Sequence, residues 1–358
     1  MPNFDIAHSR LVNQHIAEST FQTPHEVVAW LCAVQAQDYF GAKWSLGQRI
    51  AGSIDTDIEQ AFTDGSILRT HLLRPTWHFV TPSDIRWLLK LTSPRVQSIN
   101  VYMYRNIGMD IDILNRSSNI FVNALRGGFQ LTRDELIETL NQSGIVVDKK
   151  LQMVYLLMYA ELEGLICSGA RRGKQFTYAL LDERVPMIKP LSREESLMKL
   201  ADRYFKSRGP ASVFDFAKWS GLTVNDARQG LETVKGQLER TLIDEREYWF
   251  PPVTLPALEI TPKVYLLSIY DEYVSSYKDH NAIQTAEIGT RLAAMGNDLT
   301  YIIVINGQIT GTWKRIIGKD RVVVKTSLFV DLTANEKEAL TTAAHRYGNF
   351  LLLPAVLE

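Results

Sequence analysis

Two glutamines separated by one alanine, with an acid and two aromatics directly after them, make up the stretch of this chain best equipped for chemistry: Val34-Gln35-Ala36-Gln37-Asp38-Tyr39-Phe40. A carboxamide both donates and accepts, so two held side by side can orient a water or a base edge, and the aromatics add a stacking surface. Neither amide can serve as a true base. The same pair at a helix end also reads as a cap or a solvated surface, and backbone geometry decides between the two.

The element that must position them begins at Thr23-Pro24, an N-cap followed by proline in the first turn, with Val27, Trp30, Leu31 and Val34 recurring at helical spacing. That helix is expected to run into the pair. Residues two apart on a helix diverge by roughly 200°, so the amides can share a pocket only if the chain leaves helical geometry there. In an extended or turn conformation they face the same side.

The chain has 358 residues, a 46% apolar and 22% charged composition and a net charge of −1. That length allows two to four compact units. The charge excludes a uniformly basic nucleic-acid binder, so any such activity must rest on local patches. No apolar run reaches the roughly 18 residues of a membrane span. Met1-Pro2-Asn3-Phe4-Asp5 has no signal-peptide pattern, and the expected location is the cytoplasm. Cys32 and Cys167 lie far apart without metal spacing, and the seven histidines show none either; no metal or cofactor is expected. Gly169 to Lys174 falls one residue short of a phosphate-binding loop and lacks the following Ser or Thr.

Along the chain a unit of helices followed by a strand pair recurs. In its clearest copy, Thr132 and Glu135 make a capping box, a first helix stops near Gly144, and Asp148 opens a second with the stripe Leu151, Val154, Tyr155, Met158 and Leu162. Leu165 to Cys167 and Phe176 to Leu180 form a hairpin whose tip, Arg171-Arg172-Gly173-Lys174, is where a wing would meet phosphate. Helix, helix, hairpin is the outline of a winged helix-turn-helix. A second copy opens with the Ser192 and Glu195 capping box and ends in a hairpin around the acidic turn Asp244 to Glu247. A more diverged copy carries the glutamines. It continues through helices near 43–50 and 57–63 and a strand pair over Ile67 to Val80, then helices from Pro82 to about Asn106, interrupted at Pro94, and from Asp110 to Arg126. The last hundred residues change to short β-rich runs, with Asn306-Gly307 as a hairpin signal and a helix from about Asn335 to Tyr347. The expected class is therefore α+β: three tandem winged helix-turn-helix units followed by a small C-terminal antiparallel β-domain. Its boundaries are set at 1–126, 127–186, 187–256 and 257–358.

His71, Arg74 and His78 are further site candidates, and alternation puts His78 and Thr76 on one strand face with Trp77 and Phe79 on the other. Asp271-Glu272 has the composition of an acid/base pair, yet its neighbours Tyr270, Tyr273 and Tyr277 equally suggest a packed corner.

Taken in order, the glutamine segment, Leu68-Arg69-Thr70-His71-Leu72-Leu73-Arg74-Pro75-Thr76-Trp77-His78-Phe79-Val80, Tyr270-Asp271-Glu272-Tyr273 and Gly311-Thr312-Trp313-Lys314-Arg315 resemble the AlkZ-like, YcaQ-related branch of the bacterial winged-helix DNA glycosylases. The resemblance spans nearly the whole chain. It implies winged helices curved around a duplex-sized channel and monofunctional removal of N-alkylated bases, interstrand crosslinks included. It maps the family's paired catalytic glutamines onto Gln35 and Gln37; Asp38 after them reads equally as electrostatic support for a developing sugar cation or as a local cap. The partner implied is double-stranded DNA with alkylated bases, bound by a monomer in the bacterial cytoplasm. Tyr39, His71, Arg74, His78, Arg171, Arg172 and Lys174 are the residues expected to touch DNA, and the segment from His71 to Trp77 is a candidate for holding a duplex apart.

A purine alkylated at N7 or N3 carries a positive charge that weakens its glycosidic bond. Placing water and favouring an oxocarbenium-like sugar is then most of the work. Two other classes fit the same residues: a transcription regulator with a structural glutamine pair, and a protein that sequesters damage or toxin without turnover.

Overall fold

The structure is a computed structural model and describes residues 5–147, 150–252, 262–296 and 301–358. The expected helix start at Asp148 and the expected 256/257 boundary lie outside the described residues. Helix α1 (Ile6–Asn13) is capped by Asp5, and α2 (Pro24–Leu31) by a Thr23/Glu26 capping box with Pro24 in its first turn. The expected run of α2 into the glutamines does not occur. Cys32 takes a positive φ of 65°, the helix ends at Leu31, and Val34–Gln35 becomes a short strand, β1. Helices α3 (Tyr39–Gly47) and α4 (Asp55–Asp64) follow, then strands β2 (Leu68–Leu72) and β3 (Thr76–Val80). The three strands form an antiparallel sheet in the order β1-β3-β2.

Helix α5 (Pro82–Asn106) continues through Pro94, correcting the expected interruption. Proline there removes one backbone donor, the bond that would have reached the exposed Lys90, while Leu91 and Val96 stay packed on either side. After α6 (Ile111–Leu125) come β4 (Leu131–Thr132), α7 (Arg133–Gln142), α8 (Lys150–Leu162), β5 (Ile166–Ser168) and β6 (Thr177–Leu180), the strands ordered β4-β6-β5. A single turn, α9 (Leu181–Arg184), leads to α10 (Arg193–Arg208), α11 (Val213–Ser220) and α12 (Val224–Val234), each opened by the capping box that Ser192, Ser212 or Thr223 supplies. The hairpin β7 (Glu239–Ile243) and β8 (Arg246–Phe250) closes this run.

The C-terminal region adds β9 (Val264–Leu267), the short α13 (Glu272–Ser275), α14 (Ala286–Ala294), β10 (Tyr301–Ile305), β11 (Gln308–Ile317), β12 (Val322–Leu328), α15 (Ala334–Leu351) and β13 (Ala355–Leu357). Asn306 and Gly307, both at positive φ, make the tight turn between β10 and β11. The five strands run β13-β12-β11-β10-β9, antiparallel except that β13 lies parallel to β12. The class is α+β.

Buried side chains show how distant segments meet. Val28 and Val34 from around α2 and β1, with Phe79 of β3, share one core with Ile303, Trp313 and Tyr347 of the C-terminal sheet and helix. Leu72 and Leu88 share another with Leu200, Phe205 and Trp219 of α10 and α11. The glutamine strand sits where the two ends of the chain and α10 come together.

Candidate functional site

Why the chain turns extended at Gln35 is a matter of buried charge. Arg208, at the end of α10, donates to the Leu31 and Ala33 carbonyls at 2.8 and 2.9 Å, beside the Ala33 N–H that also reaches the Leu31 oxygen at 2.7 Å where the helix ends. The same guanidinium pairs with Glu272 Oε2 at 2.7 Å, both side chains being fully buried. Glu272 Oε1 then accepts the Gln35 backbone N–H at 2.9 Å. Ser276 and the Trp219 indole also donate to Oε2, at 2.6 and 3.0 Å. Burial alone would raise the Glu272 carboxyl. Arg208 and these hydrogen bonds outweigh it and hold the group at about 2. Next to it Arg49 grips Asp271 through both oxygens, at 2.9 and 3.0 Å. Asp271 and Glu272 thus form the packed corner of the two sequence readings. Asp271 caps α13 and Glu272 is its first residue.

On this support both amides turn toward the β2–β3 hairpin. Arg74 donates to Gln35 Oε1 at 3.1 Å, and the Trp77 backbone N–H to Gln37 Oε1 at 3.4 Å. Arginine and a backbone N–H can only donate, so each amide must present its oxygen there. Each keeps its NH2 and a second oxygen lone pair for another group. Gln35 is buried and Gln37 exposed. Asp38 precedes α3 without capping it, and its carboxylate accepts the Tyr301 phenol instead.

The remaining expected residues divide into surface and interior. His71 is buried, hydrogen-bonded through Nδ1 to the buried Glu161 and packed against Trp77 with ring centroids 4.3 Å apart. His78 lies opposite Gln35 and Thr70 in the sheet and is fully buried. Its Nδ1 donates to the Thr76 carbonyl at 3.0 Å, and Nε2 has no hydrogen-bond partner among the described residues. Burial, then the Arg74 charge, pushes its pKa down to about 3, so the ring is neutral. Tyr39 is buried against Phe62, Phe79 and Phe176. The expectation that His71, His78 and Tyr39 touch DNA is therefore corrected: each lies behind the surface, packed where a phosphate cannot reach. Arg171 is also mostly covered, paired with Glu59 at 3.3 Å and stacked over Phe176. Arg172 and Lys174 are exposed at the hairpin tip, Arg172 pairing with Glu135 at 2.6 Å. A cavity of about 370 Å³ separates Trp77 from this hairpin, with Arg69, Arg133, Lys174 and Phe176 in its walls.

Sequence reasoning missed Arg208 and Tyr301, which reach the glutamine segment from 177 and 263 residues away; no local pattern marks either. It also missed the tip of the β11–β12 hairpin, where Ile316 and Ile317 are more than half exposed beside Lys314, Lys319 and Arg321. Two adjacent isoleucines between cations were the available signal. Among the described residues no group of three His, Cys, Asp or Glu could hold a metal. Nor, among them, is any helix long and apolar enough to cross a membrane.

Comparison with known proteins bears on what this geometry serves. The chain is 22% identical over 352 residues to an interstrand DNA cross-link repair glycosylase of Streptomyces sahachiroi, covering 93% of this chain and 94% of that one. It superposes on the solved structure of the Streptomyces sahachiroi DNA glycosylase AlkZ with a TM-score of 0.80 at 20% identity, over 99% of this chain and 98% of that one, a likeness of fold. The family model described as DNA glycosylase AlkZ-like matches residues 28–350. The chain therefore belongs to the AlkZ-like DNA glycosylase family, enzymes that hydrolyse N-glycosyl bonds.

Proposed function

We propose that this enzyme removes purines alkylated at N7 or N3 from double-stranded DNA, including purines joined in interstrand crosslinks, with water held by Gln35 and Gln37. The observation that carries the reading is the pair of amides on one extended segment, each oxygen anchored on the β2–β3 hairpin and each NH2 available. The crosslink part draws on the name of the Streptomyces relative.

In the step envisaged, the bond between C1′ and the base nitrogen breaks. Its electron pair leaves with the base and neutralises the cation the lesion carried. A water donating to an amide oxygen turns its lone pair to C1′, forms the new C–O bond and releases its proton to solvent. Asp38 supplies negative charge toward the developing sugar cation. Because an amide accepts no proton, the mechanism serves leaving groups that need no general acid. Neutral bases are left alone.

The runs of helices ending in the three hairpins are read as tandem winged-helix units. Arg172 and Lys174 would take phosphate on one side and Arg74 beside Gln35. The apolar tip Ile316-Ile317, between Lys314 and Arg321, has the composition of a wedge that enters a groove while its cations hold the strands. One chain carries all of these, which suits a monomer. The test is release of N7-methylguanine from methylated duplex and of a nitrogen-mustard crosslink. Gln37→Ala is expected to cut the single-turnover rate on the order of a hundredfold with duplex affinity retained. Release at the wild-type rate would overturn the assignment.

A further inference from the structure

We infer that Tyr301, from the C-terminal sheet, is a positioning residue of the site: it holds the Asp38 carboxylate off its own helix so that the charge stays beside Gln37. The inference rests on the proposed hydrolysis and deepens it. An aspartate at an N-cap ordinarily turns onto the first free N–H groups of its helix. Asp38 occupies the cap of α3 with extended backbone angles and makes no such bond. Its Oδ2 accepts the Tyr301 hydroxyl instead.

Two further features keep it there. Gly41 leaves the space the carboxylate occupies: a Cβ at that position would stand 2.5 Å from Asp38 Oδ2 and 3.1 Å from Cγ. Tyr301 itself is fixed, its ring 5.0 Å from that of Trp313, its cross-strand partner, with the Arg315 guanidinium 5.3 Å from the ring centre. Burial, then the Asp38 hydrogen bond, raises the phenol well above its usual range, so it remains a donor across the working pH. Arg315 follows Trp313 by two residues on the strand that ends in Ile316-Ile317, so the hairpin read as the DNA wedge and the tyrosine that sets Asp38 share one ladder. The consequence for catalysis is a carboxylate, one residue from Gln37 and only half-buried, kept where a sugar cation would need a counter-charge.

The experiment is single-turnover excision of N7-methylguanine by Tyr301→Phe, Asp38→Asn, the double variant and Gly41→Ala, with duplex affinity and thermal unfolding measured on each. Tyr301→Phe is expected to slow excision on the order of tenfold to a hundredfold, as displaced catalytic groups do, with affinity unchanged. The double variant should be no slower than Asp38→Asn alone. Gly41→Ala should show the same kinetic defect while its helix unfolds no earlier, alanine being the better helix former. Wild-type excision by Tyr301→Phe, or losses that multiply in the double variant, would overturn the inference. Gln37→Ala run beside them separates the two ideas: an inactive Gln37→Ala with a fully active Tyr301→Phe defeats the role of Tyr301 alone, and an active Gln37→Ala defeats the reading beneath it.

Discussion

Gln35 and Gln37 stand two residues apart and are held by opposite kinds of structure. Behind Gln35 lies a frame of fully buried charges, Arg208 with Glu272 and Arg49 with Asp271, that fixes the main chain. Gln37 rests at the surface on one long bond from Trp77. The difference is one of bracing: interior charge sets the path of the backbone behind Gln35, and the Gln37 side chain is left adjustable at the surface. The strongest way to break this contrast is to remove one member of the frame. Glu272→Gln leaves Arg208 buried without its counter-charge and should cost about 3–5 kcal/mol, read by denaturant unfolding. The double change Arg208→Met with Glu272→Leu should cost less than the two single losses together. It should still fall short of wild type, because the Ala33 carbonyl then loses its Arg208 donor and the Leu31 carbonyl keeps only the Ala33 N–H. If Glu272→Gln unfolds like wild type, the frame does not set the strand.

Acid titrates the same frame more gently. Glu272 is held near 2 in the folded protein, below the ordinary carboxyl value of 4.5, so its contribution is complete above about 4.5 and is lost as pH falls toward 2. His78 is held near 3 against an ordinary 6.5, so the unfolded chain binds the proton first and stability declines as pH falls from about 6.5 toward 3. His15 and His280, also lowered by burial, act with the same sign. Removing His78 should therefore subtract one proton's share of the slope, at most about 1.4 kcal/mol per pH unit. Unfolding free energies of wild type and His78→Phe between pH 6.5 and 4.5 check this: the variant curve should be flatter, whatever its absolute stability, and parallel curves would mean that His78 is not buried neutral.

What the sequence made legible follows the range of the forces involved. Capping boxes at Thr132 and Ser192 and the Asn306-Gly307 turn act within a few residues, and each lies where its local chemistry put it. Alternation correctly placed Thr76 and His78 on one face of β3. The path of the glutamine segment was not legible, since periodicity carries α2 onward and the buried guanidinium that grips the carbonyls at the break, Arg208, lies 177 residues away. Burial of His71 was equally hidden, because its partner Glu161 lies on α8. Charge at a hairpin tip was readable as charge, but its pairing was not: Arg171 is spent on Glu59, and Arg172 pairs with Glu135 and donates to the Gln130 carbonyl at 2.7 Å.

That last difference carries the contrast between braced and adjustable groups to the cations, and it gives the mildest test. An exposed ion pair such as Arg172 with Glu135 contributes little to stability, so Arg172 can exchange its carboxylate for phosphate at small cost while its other nitrogen stays on the Gln130 carbonyl, and Lys174 stands at the same tip. Arg171 would have to leave Glu59 and the Phe176 face to do so. Removing one cation that neutralises a phosphate lowers the slope of log affinity against log salt by about one unit. Arg172→Gln and Lys174→Gln are therefore each expected to reduce that slope by about one on undamaged duplex, without lowering the unfolding midpoint. Arg171→Gln should leave the slope nearly unchanged and lower the midpoint instead. At the β7–β8 hairpin, where Asp244 and Glu245 form the turn and Arg240 pairs with Glu247 at 2.7 Å, Glu245→Gln should change neither quantity, because an acidic tip repels the backbone it would have to approach. Titrations at several salt concentrations decide the matter: a slope that falls for Arg171→Gln and holds for Arg172→Gln would reverse which of the two is structural and which is offered to DNA.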